Sequence, residues 1–360
     1  MGSQVVHVAG ARPNFPKLAP VHRALAELDI AQTLIHTGQH YDDRLSDSFF
    51  ADLDLPQPDV NLSVGSGTHA KQTAAVMVGL EDYLSTQRPD VLVVYGDVNS
   101  TLAGALVAAK LHIPVAHVEA GLRSGDMAMP EEINRRLTDQ ISDLLFATSA
   151  DAVENLHLEG LSQREIHMVG NTMIDTLLKV KPRLDTDSVL ARLNLGTPYL
   201  VATLHRPSNV DDEVSASKAV AILKAAAEQL PVVLPLHPRG RSTLEKAGLE
   251  KVSNLTVIEP LGYLDFISLV SGAKAVITDS GGIQEETTVL GVACLTLRAT
   301  TERPVTISHG TNRLVNDSNF EKNLAEVLVG GASSNAVPDL WDGQSGPRIA
   351  NVLRDWLLKG

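Results

Sequence analysis

The stretch "VITDSGGIQEETTVLG", residues 276–291, climbs as an apolar run to Asp279. It breaks at Ser280-Gly281-Gly282 and resumes as a helix carrying Gln284, Glu285 and Glu286. A strand that turns through a glycine pair straight into a helix is half of a βαβ unit, and the pair lets the backbone come close to another group. The same alternation runs outward from it. Strands are predicted at 4–10, 32–38, 90–97, 114–120, 143–149 and 165–171, separated by helical stretches such as "FPKLAPVHRALAEL" and "TLAGALVAAKLH". The pattern restarts at 199–206, 231–238, 255–261, 275–282 and 293–298. Near-continuous apolar strands imply parallel sheets covered on both faces. The chain is therefore read as α/β, with two Rossmann-like doubly wound domains facing a cleft. The first spans 1–180 and the second 181–345. An amphipathic helix over 346–360 is expected to pack back on the N-terminal domain.

Length and composition agree with two ordinary cores. The 360 residues are 44% apolar and 20% charged, with a formal net charge of −13. That balance argues against nucleic acid and anionic membranes as partners, which need basic patches. A few local cations and backbone N–H groups can still bind an anionic small molecule. The single cysteine, Cys294, lies in the apolar run "VACLTL" and reads as a buried strand thiol. No apolar run reaches the roughly 18 residues of a membrane span. The opening "MGSQVVHVAG" reads as a strand rather than a signal peptide, so the chain is expected to be cytoplasmic.

In open parallel sheets, ligands bind at the carboxyl ends of strands. The polar clusters fall there: Gly10-Ala11-Arg12, Gly38-Gln39-His40, Gly96-Asp97, His117-Val118-Glu119, His205-Arg206, His237-Pro238-Arg239 and Asp279–Gly282. Arg12 and Lys17 flank a helix N-terminus, which makes either an anion site or a capped helix with solvated charges. Ser280, Gly281 and Gly282 can offer N–H groups and a hydroxyl to phosphate. Glu285 and Glu286 would repel phosphate, so they suit ribose hydroxyls, or merely favour the helix dipole. Asp97 is a catalytic acid or, with Asn99 and Ser100, a helix cap. Glu131 and Glu132 follow Pro130 at a helix start and can serve the dipole alone. Asp97, Glu119 and Glu131 nevertheless lie at one end of one sheet, where carboxylates can do acid–base work. His205 and His237 lack metal-ligand spacing, so no metal site is expected. The segment "TTERPVTISHGTNRLV" reads as a polar loop bearing Arg303 and Arg313. A GxGxxG fingerprint is missing, which speaks against a nicotinamide cofactor.

Taken together, "ARPNFPKLAPV", "HTGQHYD", "YGDVNSTLAGALVAAKLHIPVAHVEAGLRSGD", "MPEEINR", "TLHRPSN", "DSGGIQEE", "TTERP" and "GTNRLV" resemble the non-hydrolysing UDP-N-acetylglucosamine 2-epimerases. The segments span residues 9 to 315 in that family's order. The resemblance implies a GT-B-like pair of domains, a homodimer, no cofactor, and UDP and a UDP-sugar as partners. It implies Asp97, Glu119 and Glu131 as catalytic acids, with His205 as a further catalytic residue at the diphosphate. It places Arg12, Lys17 and Arg135 near the phosphates and sugar, with His237 also in the substrate site. Ser280, Gly281 and Gly282 become the phosphate turn and Glu286 the ribose ligand. Phe266 falls where the uracil pocket is expected, and Arg313 at the nucleotide site. Gln39 and His40 would belong to a regulatory site of the kind some members have. Two departures bear on the sugar. This chain has Ala11-Arg12-Pro13-Asn14-Phe15 where some members have Thr-Arg-Pro-Glu-Ala, and its loop from Gly121 to Pro130 is shorter than in some.

The implied reaction is C2 epimerisation of UDP-N-acetylglucosamine to UDP-N-acetylmannosamine, for cell-surface polysaccharide precursors. UDP would be eliminated to a 2-acetamidoglucal and added back, which requires acid–base groups on both ring faces. The rivals are a 2-epimerase of a UDP-diacetamido uronic acid, a hydrolysing 2-epimerase, a glycosyltransferase on the same fold, a nicotinamide-dependent epimerase and a non-catalytic UDP-sugar binder.

Overall fold

The computed structural model describes residues 4–38, 50–236, 238–330 and 336–359. The chain divides into two compact units, 1–179 with 339–360, and 180–338. Unit one is built on a seven-stranded sheet. In chain order its strands are β1 (Gln4–Ala9), β2 (Ala31–His36), β3 (Val60–Asn61), β4 (Val91–Tyr95), β5 (Val115–Ala120), β6 (Leu144–Ala147) and β7 (Glu165–Met168). They lie side by side as β3-β2-β1-β4-β5-β6-β7, all parallel. Unit two has β8 (Leu200–Thr203), β9 (Val232–Pro235), β10 (Leu255–Ile258), β11 (Ala275–Thr278), β12 (Ala293–Leu297) and β13 (Asn312–Val315). Its order is β10-β9-β8-β11-β12-β13, again parallel.

Both sheets are doubly wound, and the burial pattern shows why. Leu200, Ala202, Val232, Leu234, Ala275 and Ile277 pack in one core cluster. The residues between them, Val201, Val233 and Val276, pack in another. With a period of two, successive apolar residues serve opposite faces, so each strand must be apolar throughout. In each sheet the winding reverses once, between β1 and β4 and between β8 and β11. Crossovers leave in opposite directions at such a point, and the loops there part to leave room for a ligand. The turns following β1, β4, β8 and β11 carry Arg12, Asp97, His205 and Ser280.

Two strands escaped the sequence reading. β3 has only two residues and is held by its register to Ile35 and His36. β13 lies within the segment read as a polar loop, where Val305–Ser308 also forms a short helix. It is an edge strand, paired to β12 alone among the described residues, and its sequence Asn-Arg-Leu-Val contains no apolar run to mark it. The connector proves to be a 3-10 turn at Lys181–Arg183 and a helix at Thr186–Leu193. Asp185 caps that helix by accepting from Ser188 N at 2.9 Å.

The final helix, Ser345–Leu357, belongs to unit one and packs against the helix Phe15–Glu27. Pro20 sits inside the latter and has no N–H to give to the carbonyl of Pro16. The Thr176 hydroxyl takes that place, donating to Pro16 O at 2.6 Å. Gly346 passes so close that a Cβ there would lie 2.5 Å from Pro20 O. Gly346 N donates to Asp175 Oδ2 at 2.7 Å, and Trp341 Nε1 donates to Thr148 O at 3.0 Å. We expect Gly346→Ala to lower the unfolding free energy of unit one by about 1–3 kcal/mol, the usual cost of overpacking. The urea midpoint, followed by the fluorescence of Trp341 and Trp356, measures it. An unchanged midpoint would mean that this contact opens without cost.

Candidate active site

In unit one the β1 turn is tied to β4. Gly10 N and Ala11 N both donate to Asn14 Oδ1 at 3.0 Å, and Asn14 Nδ2 donates to Tyr95 O at 2.8 Å. These two N–H groups are therefore satisfied within the turn. Arg12 is half-buried there. Lys17 is buried and ion-paired with Glu119, so its charge is matched by a carboxylate. Gly96 ends β4 at φ +64°, and a Cβ there would lie 2.8 Å from Lys17 Nζ and 3.0 Å from Glu119 Oε2. Glycine is required on both counts.

Glu119 itself has φ +76°. For a residue with a side chain this costs about 1–3 kcal/mol, a strain concentrated at functional sites. The β5–β6 register shifts between Val118 and Ala120, so Glu119 is the extra residue of a bulge that re-aims its side chain. Asp97 follows Gly96 and is ion-paired with Arg135. It is not the N-cap residue: the helix Asn99–Lys110 starts after Val98. The N-cap position expected at Asp97, Asn99 or Ser100 thus falls on Val98.

The helix Pro130–Ile141 presents Arg135, buried between Asp97 and Glu132. Glu132 accepts from Arg135 Nη1 at 2.7 Å, Ser124 N at 2.9 Å and Ser124 Oγ at 3.0 Å. It anchors the loop before the helix and is not a mere dipole charge. Glu131 lies half-buried in the same first turn. Sequence alone gave no means of separating these neighbours, because the difference is the direction each faces.

In unit two Asp279 organises the β8 turn. It is fully buried and accepts from His205 N at 3.1 Å, Arg206 N at 3.0 Å and Asn209 Nδ2 at 2.9 Å. Its Oδ1 also meets His205 Nδ1 at 2.9 Å, leaving Nε2 of that half-exposed ring as the other nitrogen for a ligand. Burial alone would raise the Asp279 pKa, but His205, Asn209 and Arg206 N–H bring it below the ordinary value.

The turn after β11 opens the helix Gly281–Leu290 with Ser280 as its N-cap residue, whose hydroxyl does not cap it. Gly281 is tightly confined: a Cβ there would lie 2.4 Å from Arg303 Nη1 and 2.8 Å from Glu302 Oε1. Arg303 Nε meets Glu285 Oε1 at 2.8 Å, and Arg298 Nη2 meets Glu302 Oε2 at 2.5 Å. Gln284, buried, accepts from Thr301 Oγ1 at 2.7 Å and Asn312 Nδ2 at 2.9 Å. This belt of Gln284, Glu285, Arg298, Glu302 and Arg303 braces the turn. Gln284, Glu285, Glu302 and Arg303 were signalled in the sequence as polar residues beside buried strand ends; the part played by Arg298 was not.

Glu285 and Glu286 fall beyond the helix's first turn, which carries no acidic residue. That corrects the dipole alternative for them. Glu286 is buried and accepts from Tyr263 Oη at 2.8 Å. Burial, with Glu285 adding to it, pushes Glu286 up to about 8. Phe266 packs against the core cluster of Val201, Val233 and Val276. Arg313 on β13 is bound to Glu326 at 2.7 Å and Asn323 at 3.4 Å, so Arg303 is the guanidinium at Gly281. Gln39, His40 and His237 lie outside the described residues. Cys294 is buried in β12, and burial pushes its thiol up to about 11.

The family model described as UDP-N-acetylglucosamine 2-epimerase matches residues 23–354. The UDP-N-acetylglucosamine 2-epimerase of Methanocaldococcus jannaschii is 42% identical over 356 residues, 96% of this chain and 97% of its own. The UDP-2,3-diacetamido-2,3-dideoxy-D-glucuronate 2-epimerase of Pseudomonas aeruginosa is 40% identical over 97% of this chain and 99% of its own. The crystal structure of the M. jannaschii UDP-GlcNAc 2-epimerase in complex with UDP-GlcNAc and UDP matches with a TM-score of 0.89. That match is 41% identical and covers 98% of this chain and 99% of that one.

The state of Glu286 is open to measurement. Its folded value of about 8 lies above the ordinary 4.5, so the folded chain binds this proton more tightly than the unfolded chain. Between those values stability therefore falls as pH rises. Glu286→Gln cannot titrate, and its stability should gain on the native chain by more than about 1 kcal/mol between pH 5 and pH 8. Thermal melts at both pH values test this. A constant gap would show that Glu286 folds as the carboxylate.

Proposed function

The chain belongs to the UDP-N-acetylglucosamine 2-epimerase family, and on that premise we propose that it interconverts UDP-N-acetylglucosamine and UDP-N-acetylmannosamine. The observation that carries the reading is the pair of carboxylates, Asp97 and Glu119, at the ends of adjacent strands, each against its own cation. Binding a sugar nucleotide does not need them, whereas moving a proton at C2 does.

No carbonyl lies next to C2–H, so its proton is not acidic enough for direct removal. In the mechanism we favour, a carboxylate takes that proton as the C1–O bond to UDP breaks. The C–H electron pair becomes the C1=C2 double bond of a 2-acetamidoglucal, and UDP leaves with the C1–O electrons. Re-addition of UDP and protonation of C2 from the opposite face give the epimer. Asp97, Glu119 and Glu131 supply the acid–base groups, with Lys17 and Arg135 holding the first two in place. The amides at Gly281 and Gly282, the Ser280 hydroxyl, Arg12 and His205 are the groups that would stabilise the departing diphosphate. Glu286 meets the ribose, Phe266 borders the uracil and Arg313 lies toward the nucleotide. Unit one is thus the catalytic domain and unit two the UDP-binding domain.

The 40% identity to the Pseudomonas enzyme supports a second reading, a UDP-linked diacetamido uronic acid as substrate. Proton NMR in D2O separates the two. We expect UDP-N-acetylmannosamine carrying deuterium at C2; turnover of the diacetamido uronate alone favours the second reading. Free N-acetylmannosamine with UDP would indicate hydrolysis. In the same assay Glu119→Gln and Asp97→Asn should each cut turnover by about 10²–10⁴ and leave UDP affinity nearly unchanged. Near-native turnover in either variant removes that residue from the acid–base set.

We place the enzyme in the cytoplasm, as a homodimer that supplies cell-surface polysaccharide precursors. Met127, Ile133, Leu137 and Leu158 support the dimer. They are 40–77% exposed and line one hollow of unit one. A contiguous apolar patch of this kind suits a second copy of the chain. The native protein should elute in size-exclusion chromatography with light scattering at twice the chain mass, and Leu137→Asp at the single mass. A native monomer would overturn this assignment.

A further inference from the structure

Beneath the strand ends that carry Asp97 and Glu119 lies a buried carboxylate with no role assigned so far. Asp139, on the helix Pro130–Ile141, is fully buried. Its Oδ1 meets His117 Nδ1 at 2.7 Å. Its Oδ2 accepts from Gly121 N at 3.1 Å and meets Arg123 Nη2 at 2.7 Å. Arg123 is held in turn by Glu159, with Nε to Oε1 at 2.9 Å and Nη2 to Oε2 at 2.7 Å.

The positions of these partners matter. His117 and Gly121 stand two residues before and two residues after Glu119, so the two oxygens of Asp139 bridge the bulge on which Glu119 sits. His117 also reaches across to the next strand. Its Nε2 donates to Gly96 O at 2.7 Å, and Gly96 immediately precedes Asp97. One carboxylate therefore touches both strand ends, directly at Gly121 and through the imidazole at Gly96. Glu119 is in the left-handed region, where a residue with a side chain stays only if its surroundings hold it. Gly121 N–H on one side and the His117 ring on the other supply that hold. Burial alone would raise the Asp139 pKa, but His117 and Arg123 bring it below the ordinary value, as the acceptor of so many donors should be.

We propose that Asp139 is a positioning residue, whose bonds to Gly121 N and His117 fix the bulge presenting Glu119 and the β4 end presenting Asp97. This rests on the acid–base reading of those two carboxylates. A carboxylate that only neutralised Arg123 would affect stability and leave the turnover of the folded enzyme unchanged. A positioning residue changes turnover with little change in substrate binding.

The test uses the full chain and three variants. Asp139→Asn should lower kcat by about 100-fold, with KM within about threefold and UDP affinity within about twofold of native. Exchange of the Gly121 amide hydrogen should quicken by about tenfold or more, since its acceptor is weakened. Asp139→Asn can fail to fold with Arg123 beside it, so two histidine variants divide the same contacts. The Gln amide nitrogen takes the place of Nε2, so His117→Gln keeps Gly96 O and gives up Asp139. The Asn amide nitrogen takes the place of Nδ1, so His117→Asn keeps Asp139 and gives up Gly96 O. His117→Gln should quicken exchange at Glu119–Gly121, and His117→Asn at Gly96 and Asp97. The proposal is overturned if folded Asp139→Asn keeps kcat within about threefold of native. It is also overturned if exchange at residues 119–121 is unchanged in both Asp139→Asn and His117→Gln. Should the native chain epimerise no UDP-sugar, the functional reading fails by itself, and amide exchange still decides whether Asp139 holds the bulge.

Discussion

A carboxylate withdrawn from water costs several kcal/mol unless cations or several N–H groups meet it. That constraint organises both units. Glu119 is met by Lys17, Glu132 by Arg135 and the Ser124 loop, and Asp139 by His117, Arg123 and Gly121 N. In unit two, Asp279 is met by the β8 turn, and Glu285 and Glu302 by Arg303 and Arg298. Each match joins elements that the sheet alone does not join, so the loops at the switch points are held by their own charges. The glycines follow from the same demand. Gly96 and Gly281 sit where an ion pair leaves no space for a Cβ.

The strands and the sites legible in the sequence were those written locally. Apolar runs ending in glycine or a polar cluster identified all but the two-residue β3 and the edge strand β13. Strand ends carrying Asp97, Glu119, His205 and Asp279–Gly282 also stood out, because a polar group closing a buried strand has no packing reason to be there. Pairings across long separations were illegible. Lys17 and Glu119 lie 102 residues apart, and Asn14 and Tyr95 lie 81 apart. Nothing in the local pattern around Asn14 says that its side chain will occupy the N–H groups of its own turn. The capping readings failed for a related reason. Ser, Asp and Asn at helix starts are favoured caps, but after β4 the N-cap position falls on Val98, between Asp97 and Asn99. Asp139 was invisible because "LTDQIS" is an ordinary amphipathic helix end; only the bulge opposite it explains the residue.

Family membership leaves the sugar to the pocket's own chemistry. Relatives at 42% and 40% identity bear the names of different 2-epimerases. The mechanism proposed above asks the same of either substrate, proton transfer at C2 and a UDP leaving group, and the groups suited to those tasks lie at the switch-point turns. The two segments noted above as departing from some members of the family are the Ala11–Phe15 turn and the loop from Gly121 to Pro130. The second is pinned by Glu132 through Ser124 and Gly125, so a change of substrate there has to preserve an internal acceptor.

The placement of the final helix also bears on the order in which the molecule can be assembled. Unit one is discontinuous: residues 180–338 intervene between its main part and the segment 339–360. Trp341, Gly346 and Arg348 bond to groups made some 170 to 190 residues earlier, at Thr148, Asp175 and Val169. During synthesis, which releases about 5–20 residues per second, unit two has all of its own sequence before unit one does. The carboxylates proposed for catalysis thus wait, on a sheet lacking one covering helix, until residues 339–360 leave the ribosome. A chain ending before residue 339 would lose no proposed catalytic group and yet leave Pro20, Thr148 and Asp175 open to water, a natural handle for cellular surveillance of unfinished protein.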